Sequence, residues 1–252
     1  ILEHVSAHYD GDLSGLSAVE YFGINCRGTM DHENQFFHGD DTVAMYIQQP
    51  LHGQEPEDAA MEWLERLMES GCDLDEDAIL LLDSDKLRSL FLEARHSLPA
   101  NALEVVQKRG TYTIMTDTVV PPDRFAEFLD FTHGLLKEQG LDYVAFGHLG
   151  DCHLHFTVLP EKEQLDTGVA AYDAIIAKSA ELGGVYSGEH GTGKRKRKDF
   201  LRCYGQDAVE QVIACKAAVD PGLWVNRGNV VSGIENDEIP KYPSTQRMTN
   251  DE

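Results

Sequence analysis

The sequence predicts an α+β fold, an antiparallel β-sheet with helices on one face. Three observations carry that prediction. Segments with the 3.6-residue apolar period of a helix alternate with short β-rich segments. Some of the β-rich segments are close enough in sequence to form hairpins, as only antiparallel strands can. None is the long Val/Ile run of a strand buried in a parallel sheet.

From the start of the chain, Ser17 and Glu20 have the spacing of a capping box and predict a short helix. Residues 42–48 alternate as a strand, bounded by Asp40, Asp41 and Pro50. In residues 56–70 Met61, Leu64, Leu67 and Met68 share a helical face, and Gly71 is the stop. Residues 78–82 fit a strand or the start of a helix, and residues 85–98 read as helix. Residues 111–120 are β-rich and end at Pro121 and Pro122. Asp123 is then placed to cap a helix with apolar positions Phe125, Phe128, Leu129, Leu135 and Leu136, ended by Gly140. Short strands follow over residues 143–146 and 153–159, joined by residues 148–151. Residues 166–182 predict a helix stopped by Gly183 and Gly184. A glycine-rich loop over 187–193 leads to helices near 194–203 and 206–218, then a turn at Asp220-Pro221-Gly222. The reading is one domain over residues 1–231 and a polar, poorly ordered tail over 232–252. The chain opens at Ile1 with no initiator Met, as a processed product or a fragment without its preceding domain would.

At 252 residues the chain has room for one large domain or two small ones, and 42% hydrophobic with 26% charged residues is ordinary for a soluble protein. Against 44 acidic residues stand 21 basic ones, a net charge of −23. That field repels a polyanion and excludes nucleic acid as a general partner. No apolar run approaches the ~20 residues of a membrane span. Five cysteines (Cys26, Cys72, Cys152, Cys203, Cys215) form no CxxC pair. The odd number argues against a disulfide framework and for a reducing compartment. The expected location is cytoplasmic, with a peripheral place at the inner membrane face left open.

Two stretches carry chemistry. Gly147-His148-Leu149-Gly150-Asp151-Cys152-His153-Leu154-His155 places three histidines and an aspartate within eight positions. His153 and His155 share a face on a strand, and His148 can fold back across the glycine-containing turn. Neutral imidazole on a rigid hairpin suits a borderline divalent metal such as Zn²⁺. The alternative is a polar hairpin whose histidines satisfy backbone groups. The second stretch, Gly183 to Lys194, sets Glu189 and His190 in a glycine-rich loop, where one side chain can ligate a metal while the other faces a substrate. Gly188, Gly193 and Lys194 imitate a phosphate-binding loop, but Arg195 stands where Ser or Thr would hold Mg²⁺. The basic run from Lys194 to Lys198 reads as a solvated helix face, or as a contact for phosphate or an acidic surface. Arg95, near the end of an amphipathic helix, is able to hold a carboxylate through two N–H groups.

These motifs resemble those of the FAD-linked oxidase C-terminal domain family. GHLGDCHLH resembles its G-H-x-G-D-G-N-x-H signature, and GGVYSGEHGTGK its G-G-x-x-S-x-E-H-G-x-G motif. KAAVDPGLWVNRGNVV resembles its closing K-x-x-x-D-P-x-x-x-x-N-P-G-K, and TDTVVP the T-D-x-x-V-P segment of its D-lactate dehydrogenases. They run in family order from Arg95 to Val231. The family includes D-lactate dehydrogenases, D-2-hydroxyglutarate dehydrogenases and the flavin subunit of glycolate oxidase. The resemblance implies a substrate or cap domain built around ferredoxin-like units, with FAD held mainly by an N-terminal domain that this chain lacks. It implies a divalent metal, Zn or Mn, on His148, His155 and Glu189, with His153 as a further candidate. It implies His190 as proton acceptor and Arg95 as the contact of the substrate carboxylate. Thr116 and Thr157 stand where the hydroxyglutarate enzymes carry Lys and Asn for a second carboxylate, which points to a short monocarboxylate, D-lactate or glycolate. Asn226 is the candidate flavin contact, although Arg227 and Asn229 replace the Pro and Lys of the closing motif. The implied partners are the small 2-hydroxy acid, the FAD-binding domain, an electron-transfer partner and a second copy of the chain. Two other classes fit the histidine cluster: a metal-dependent hydrolase, and a silent cap or partner subunit.

Overall fold

A computed structural model describes residues 1–72 and 76–231. The chain divides into two compact units, Ile1–Gly188 and a second that begins at Glu189.

The first unit holds, in order, α1 (Leu2–His8), β1 (Ala18–Phe22), β2 (Ala44–Gln48), α2 (Pro56–Met68), α3 (Asp85–Arg109), β3 (Ile114–Met115), β4 (Thr118–Val119), α4 (Phe125–Glu138), β5 (Tyr143–His148), β6 (His153–Val158) and α5 (Leu165–Glu181). The strands form one sheet in the order β2-β1-β5-β6-β3, with β4 also on β6, and every pairing between them is antiparallel. The expected antiparallel α+β architecture is therefore present.

The capping box at Ser17 and Glu20 is a correction: these residues lead into and lie within strand β1. A cap is worth about 1 kcal/mol. It loses to two ladders, since β1 pairs with β2 from Ala18↔Gln48 to Phe22↔Ala44 and with β5 from Glu20↔His148 to Phe22↔Phe146. The period of two sends Val19 and Tyr21 to one core and Phe22 to the other. Glu20 lies on the Phe22 side.

Helices cover both faces, where one was expected. On the first face α4 and α5 bury Phe125, Phe128, Leu136, Ala171 and Ile175 against Leu154, Phe156 and Val158 of β6. On the second face α3 lays down Phe91, Ala94, Leu98, Ala102 and Val106 against Phe22 and Val144. The helix expected to stop at residue 98 runs on to Arg109 through Pro99. An internal proline costs about 3 kcal/mol, but the i, i+3, i+4 stripe continues past it and its burial outweighs the loss.

Residues 78–82 take neither expected form: a 3₁₀ turn at Glu76–Ala78 is followed by irregular chain. Asp123 lies inside a 3₁₀ turn, Pro122–Arg124, and α4 starts after it with no side-chain cap. The break between β3 and β4 splits the β-rich segment 111–120. Among the described residues no two cysteines are joined in a disulfide. Burial pushes the Cys26 thiol up to about 12 and the Cys152 thiol up to about 11, so neither is a nucleophile at neutral pH.

The second unit is built on α6 (Arg197–Val219), interrupted at Gly205, where φ 79° and ψ 177° are not helical. The two predicted helices are thus its two halves, and the first begins at Arg197, not at 194. Leu223 and Val231 are buried against Phe200, Val212 and Ile213. The polar tail over 232–252 lies outside the described residues. Among the described residues no helix is long and apolar enough to cross a membrane.

Phe156 is fully buried and meets Phe128 edge-on, centroids 6.4 Å apart. Phe156→Ala is expected to lower unfolding free energy by about 3–5 kcal/mol, read from the denaturation midpoint. A loss under about 1 kcal/mol would mean that this face is not the core it is taken to be.

Candidate active site

β5 and β6 pair with His148 opposite His153 and Phe146 opposite His155. This register turns His148, His153 and His155 to one side of the sheet, while Leu154 and Phe156 face the α4–α5 core. Ring centroids are 4.8 Å apart for His153–His155, 5.4 Å for His148–His153 and 5.8 Å for His148–His155. His153 and His155 are buried and His148 is partly open.

Two glycines make this packing possible. Gly147 has φ +146°, and a Cβ there would lie 2.7 Å from the His153 carbonyl oxygen and 3.3 Å from His155 Cδ2. A Cβ on Gly188 would lie 2.7 Å from His153 Cε1 and 2.9 Å from Nε2.

Each end of the histidine row meets a buried carboxylate that sequence reasoning missed. Glu20 Oε1 is 2.9 Å from His148 Nδ1. Its Oε2 accepts from Arg95 Nε at 3.2 Å and Nη2 at 2.9 Å. Asp117, fully buried in the break between β3 and β4, places Oδ1 2.8 Å from His153 Nε2 and 3.9 Å from His155 Nδ1. Its Oδ2 accepts from Ser187 Oγ, and its carbonyl accepts from the Gly188 N–H at 2.8 Å. Asp117, His153 and His155 offer potential ligand atoms within 4.8 Å of one another. Asp117 was visible in the T-D-x-x-V-P segment but given no role. Glu20 was hidden by its false assignment to a helix cap.

Other expected residues take definite places. Arg95 spends two of its N–H bonds on Glu20, so its guanidinium is already oriented within the fold. Thr157 shares the β6 face of His153 and His155, and its buried Oγ1 has no hydrogen-bond partner. Thr116 is fully buried, and its Oγ1 accepts from the Phe156 N–H at 3.1 Å, which pins the β3–β4 break. A cleft of about 410 Å³ beside the row is lined by Leu13, Leu16, Val19, Glu20, His148 and Asp151.

In the second unit Glu189 and His190 are neighbours, with Oε1 3.5 Å from Nε2. The loop uses positive φ at Gly191 and Gly193, and the Gly193 carbonyl accepts from Val230 N–H at 2.8 Å. Asn226 has φ 47°, and its carbonyl accepts from Asn229 N–H in a turn.

Asp117, His153 and His155 form a donor set suited to a divalent cation of Zn²⁺ or Mn²⁺ type, and the His148 ring lies 5.4 Å from that of His153. The carboxylate–imidazole pairs are the arrangement that orients ligand histidines. The residues present therefore fit the metal that the sequence motifs imply.

Comparison with known proteins adds the lineage. Residues 29–230 match the family described as FAD linked oxidases, C-terminal domain. The chain is 30% identical over 156 residues to a D-lactate dehydrogenase of Anaerostipes hadrus, covering 60% of this chain and 32% of that protein. It is 27% identical over 173 residues to glycolate oxidase subunit GlcD of Bacillus subtilis (68% and 35%), and 32% identical over 119 residues to a D-2-hydroxyglutarate dehydrogenase of Escherichia coli (45% and 11%). The chain thus spans about a third or less of these relatives. Among solved structures it is similar in fold to 4-ethylphenol oxidase from Gulosibacter chungangensis, with TM-score 0.58 and 14% identity, covering 93% of this chain and 51% of that one. A second is p-cresol methylhydroxylase, with TM-score 0.57 and 14% identity, covering 87% and 47%.

Proposed function

The chain belongs to the family of FAD linked oxidases, C-terminal domain, and from that premise we propose that it is the substrate domain of an FAD- and metal-dependent 2-hydroxy-acid dehydrogenase. The proposed reaction oxidises a short D-2-hydroxy acid, D-lactate or glycolate, to the 2-oxo acid. The observation that carries this reading is the row of His148, His153 and His155 bracketed by Glu20 and Asp117. His148 and His155 would hold the ion, with Glu189 added from the sequence motif; His153, already on Asp117, would brace the cluster. A divalent cation so held would supply charge that lowers the pKa of the substrate hydroxyl. FAD, carried by a partner domain, would supply the acceptor for the C2 hydride.

The chain's own residues do the rest. His190 takes the hydroxyl proton on an imidazole nitrogen. Arg95, its plane set by Glu20, offers remaining N–H groups to the substrate carboxylate and fixes C2 toward the acceptor. The Thr157 hydroxyl, buried without a partner, is a neutral contact for the rest of a small substrate. A hydroxyl brings no positive charge to a second carboxylate, whose burial beside it would be costly. This disfavours a dicarboxylic substrate.

Anaerobic mixing of the full-length protein with D-lactate, glycolate and D-2-hydroxyglutarate tests the reading. The flavin absorbance should bleach with one of the first two at least tenfold faster than with the dicarboxylate. A protein that carries no flavin, or one reduced fastest by 2-hydroxyglutarate, would overturn it.

A further inference from the structure

We propose that Glu20 is a positioning residue that sets two parts of the site at once, the tautomer of His148 and the plane of Arg95. The inference rests on the reading above in treating His148 as a metal ligand. Glu20 is 8% exposed and stands directly across the β1–β5 ladder from His148. Its two oxygens are divided: Oε1 meets His148 Nδ1 at 2.9 Å, and Oε2 takes both Arg95 contacts. An ionised carboxylate only accepts. His148 Nδ1 therefore carries the proton of that bond, and Nε2 is left as the lone-pair nitrogen that a metal requires. Neutral imidazole in water favours the opposite form, with hydrogen on Nε2. The structure thus holds His148 in the form that ligates.

The same carboxylate explains why Arg95 is held in place. Arg95 lies on α3, 75 positions along the chain from Glu20. The guanidinium neutralises a carboxylate that would otherwise be buried with its charge uncompensated. In return its Nε and Nη2 are pinned and its plane is fixed. A purely structural ion pair would need only the Arg95 half of this arrangement. The His148 half, in the wall of the cleft that Glu20 and His148 share, is what ties it to the site.

Histidine side chains of the 252-residue chain, labelled with ¹⁵N and assigned against His148→Gln, report the tautomer directly by long-range ¹H–¹⁵N correlation. His148 should be in the Nδ1–H form in the parental chain and should move toward the Nε2–H form in Glu20→Gln. A parental His148 in the Nε2–H form overturns the proposal, and that result needs no variant to fold. In parallel, Zn²⁺ affinity is measured by chelator competition. Glu20→Gln should weaken it by about 10–100-fold, the usual effect of losing a partner beyond a ligand. Parental affinity in a folded Glu20→Gln, judged by unchanged far-UV dichroism, also overturns the proposal. A parental chain that takes up no Zn²⁺ refutes the metal reading instead, and the tautomer then decides the role of Glu20 alone.

Discussion

His148→Ala and His155→Ala are each expected to strip the divalent ion from the full-length protein. Metal content, read by elemental analysis after dialysis, should fall from about one equivalent to near zero in both, because an open catalytic site has few protein ligands and none to spare. His153→Ala is the informative contrast. His153 Nε2 is engaged by Asp117 Oδ1 at 2.8 Å, so its loss removes a brace. Metal should remain, with affinity lower by about 10–100-fold. Full metal content in both His148→Ala and His155→Ala would refute the ligand assignment. Loss in His153→Ala with retention in His148→Ala would move the site toward Asp117, His153 and His155, whose potential ligand atoms are also grouped.

That contrast shows how much of the site was legible. The histidine hairpin could be read from spacing, because on a strand His153 and His155 must share a face and a glycine turn returns the chain to them. The second layer could not. Asp117 reaches His153 from 36 positions away and Glu20 reaches His148 from 128 away. Such contacts arise from sheet order, which local pattern does not encode. Glu20 illustrates the competition: Ser17 and Glu20 satisfy a helix-start pattern, and only the two flanking ladders make the segment a central strand. The helix expected over residues 85–98 errs in the other direction. A proline is a strong local signal to stop, yet the stripe from Phe91 to Val106 continues through it. Ending the helix at residue 98 left Ala102 and Val106 out of the cover on the side where Glu20 lies. Glu189 as ligand and His190 as base come from the family motif, in which the two are adjacent.

His190→Asn is expected to slow reduction of the flavin by D-lactate or glycolate about 10²–10⁴-fold, the usual contribution of a general base. Asparagine keeps a polar side chain of similar reach but has no basic nitrogen, so the hydroxyl proton loses its acceptor while metal and FAD stay bound. The neighbouring pair divides the labour by chemistry. A carboxylate carries fixed negative charge and suits a cation, whereas imidazole takes and releases a proton near neutrality. Gly191 and Gly193, both at positive φ, shape the loop that follows the pair. Glu189→Gln should therefore lose metal, and with it activity, whereas His190→Asn should lose activity alone. Stopped-flow flavin reduction and metal analysis on the same two samples separate the roles. If His190→Asn reduces its flavin at the parental rate, the proton goes elsewhere. If it sheds its metal as Glu189→Gln does, His190 is a ligand and the base must be sought among the histidines of the β5–β6 hairpin.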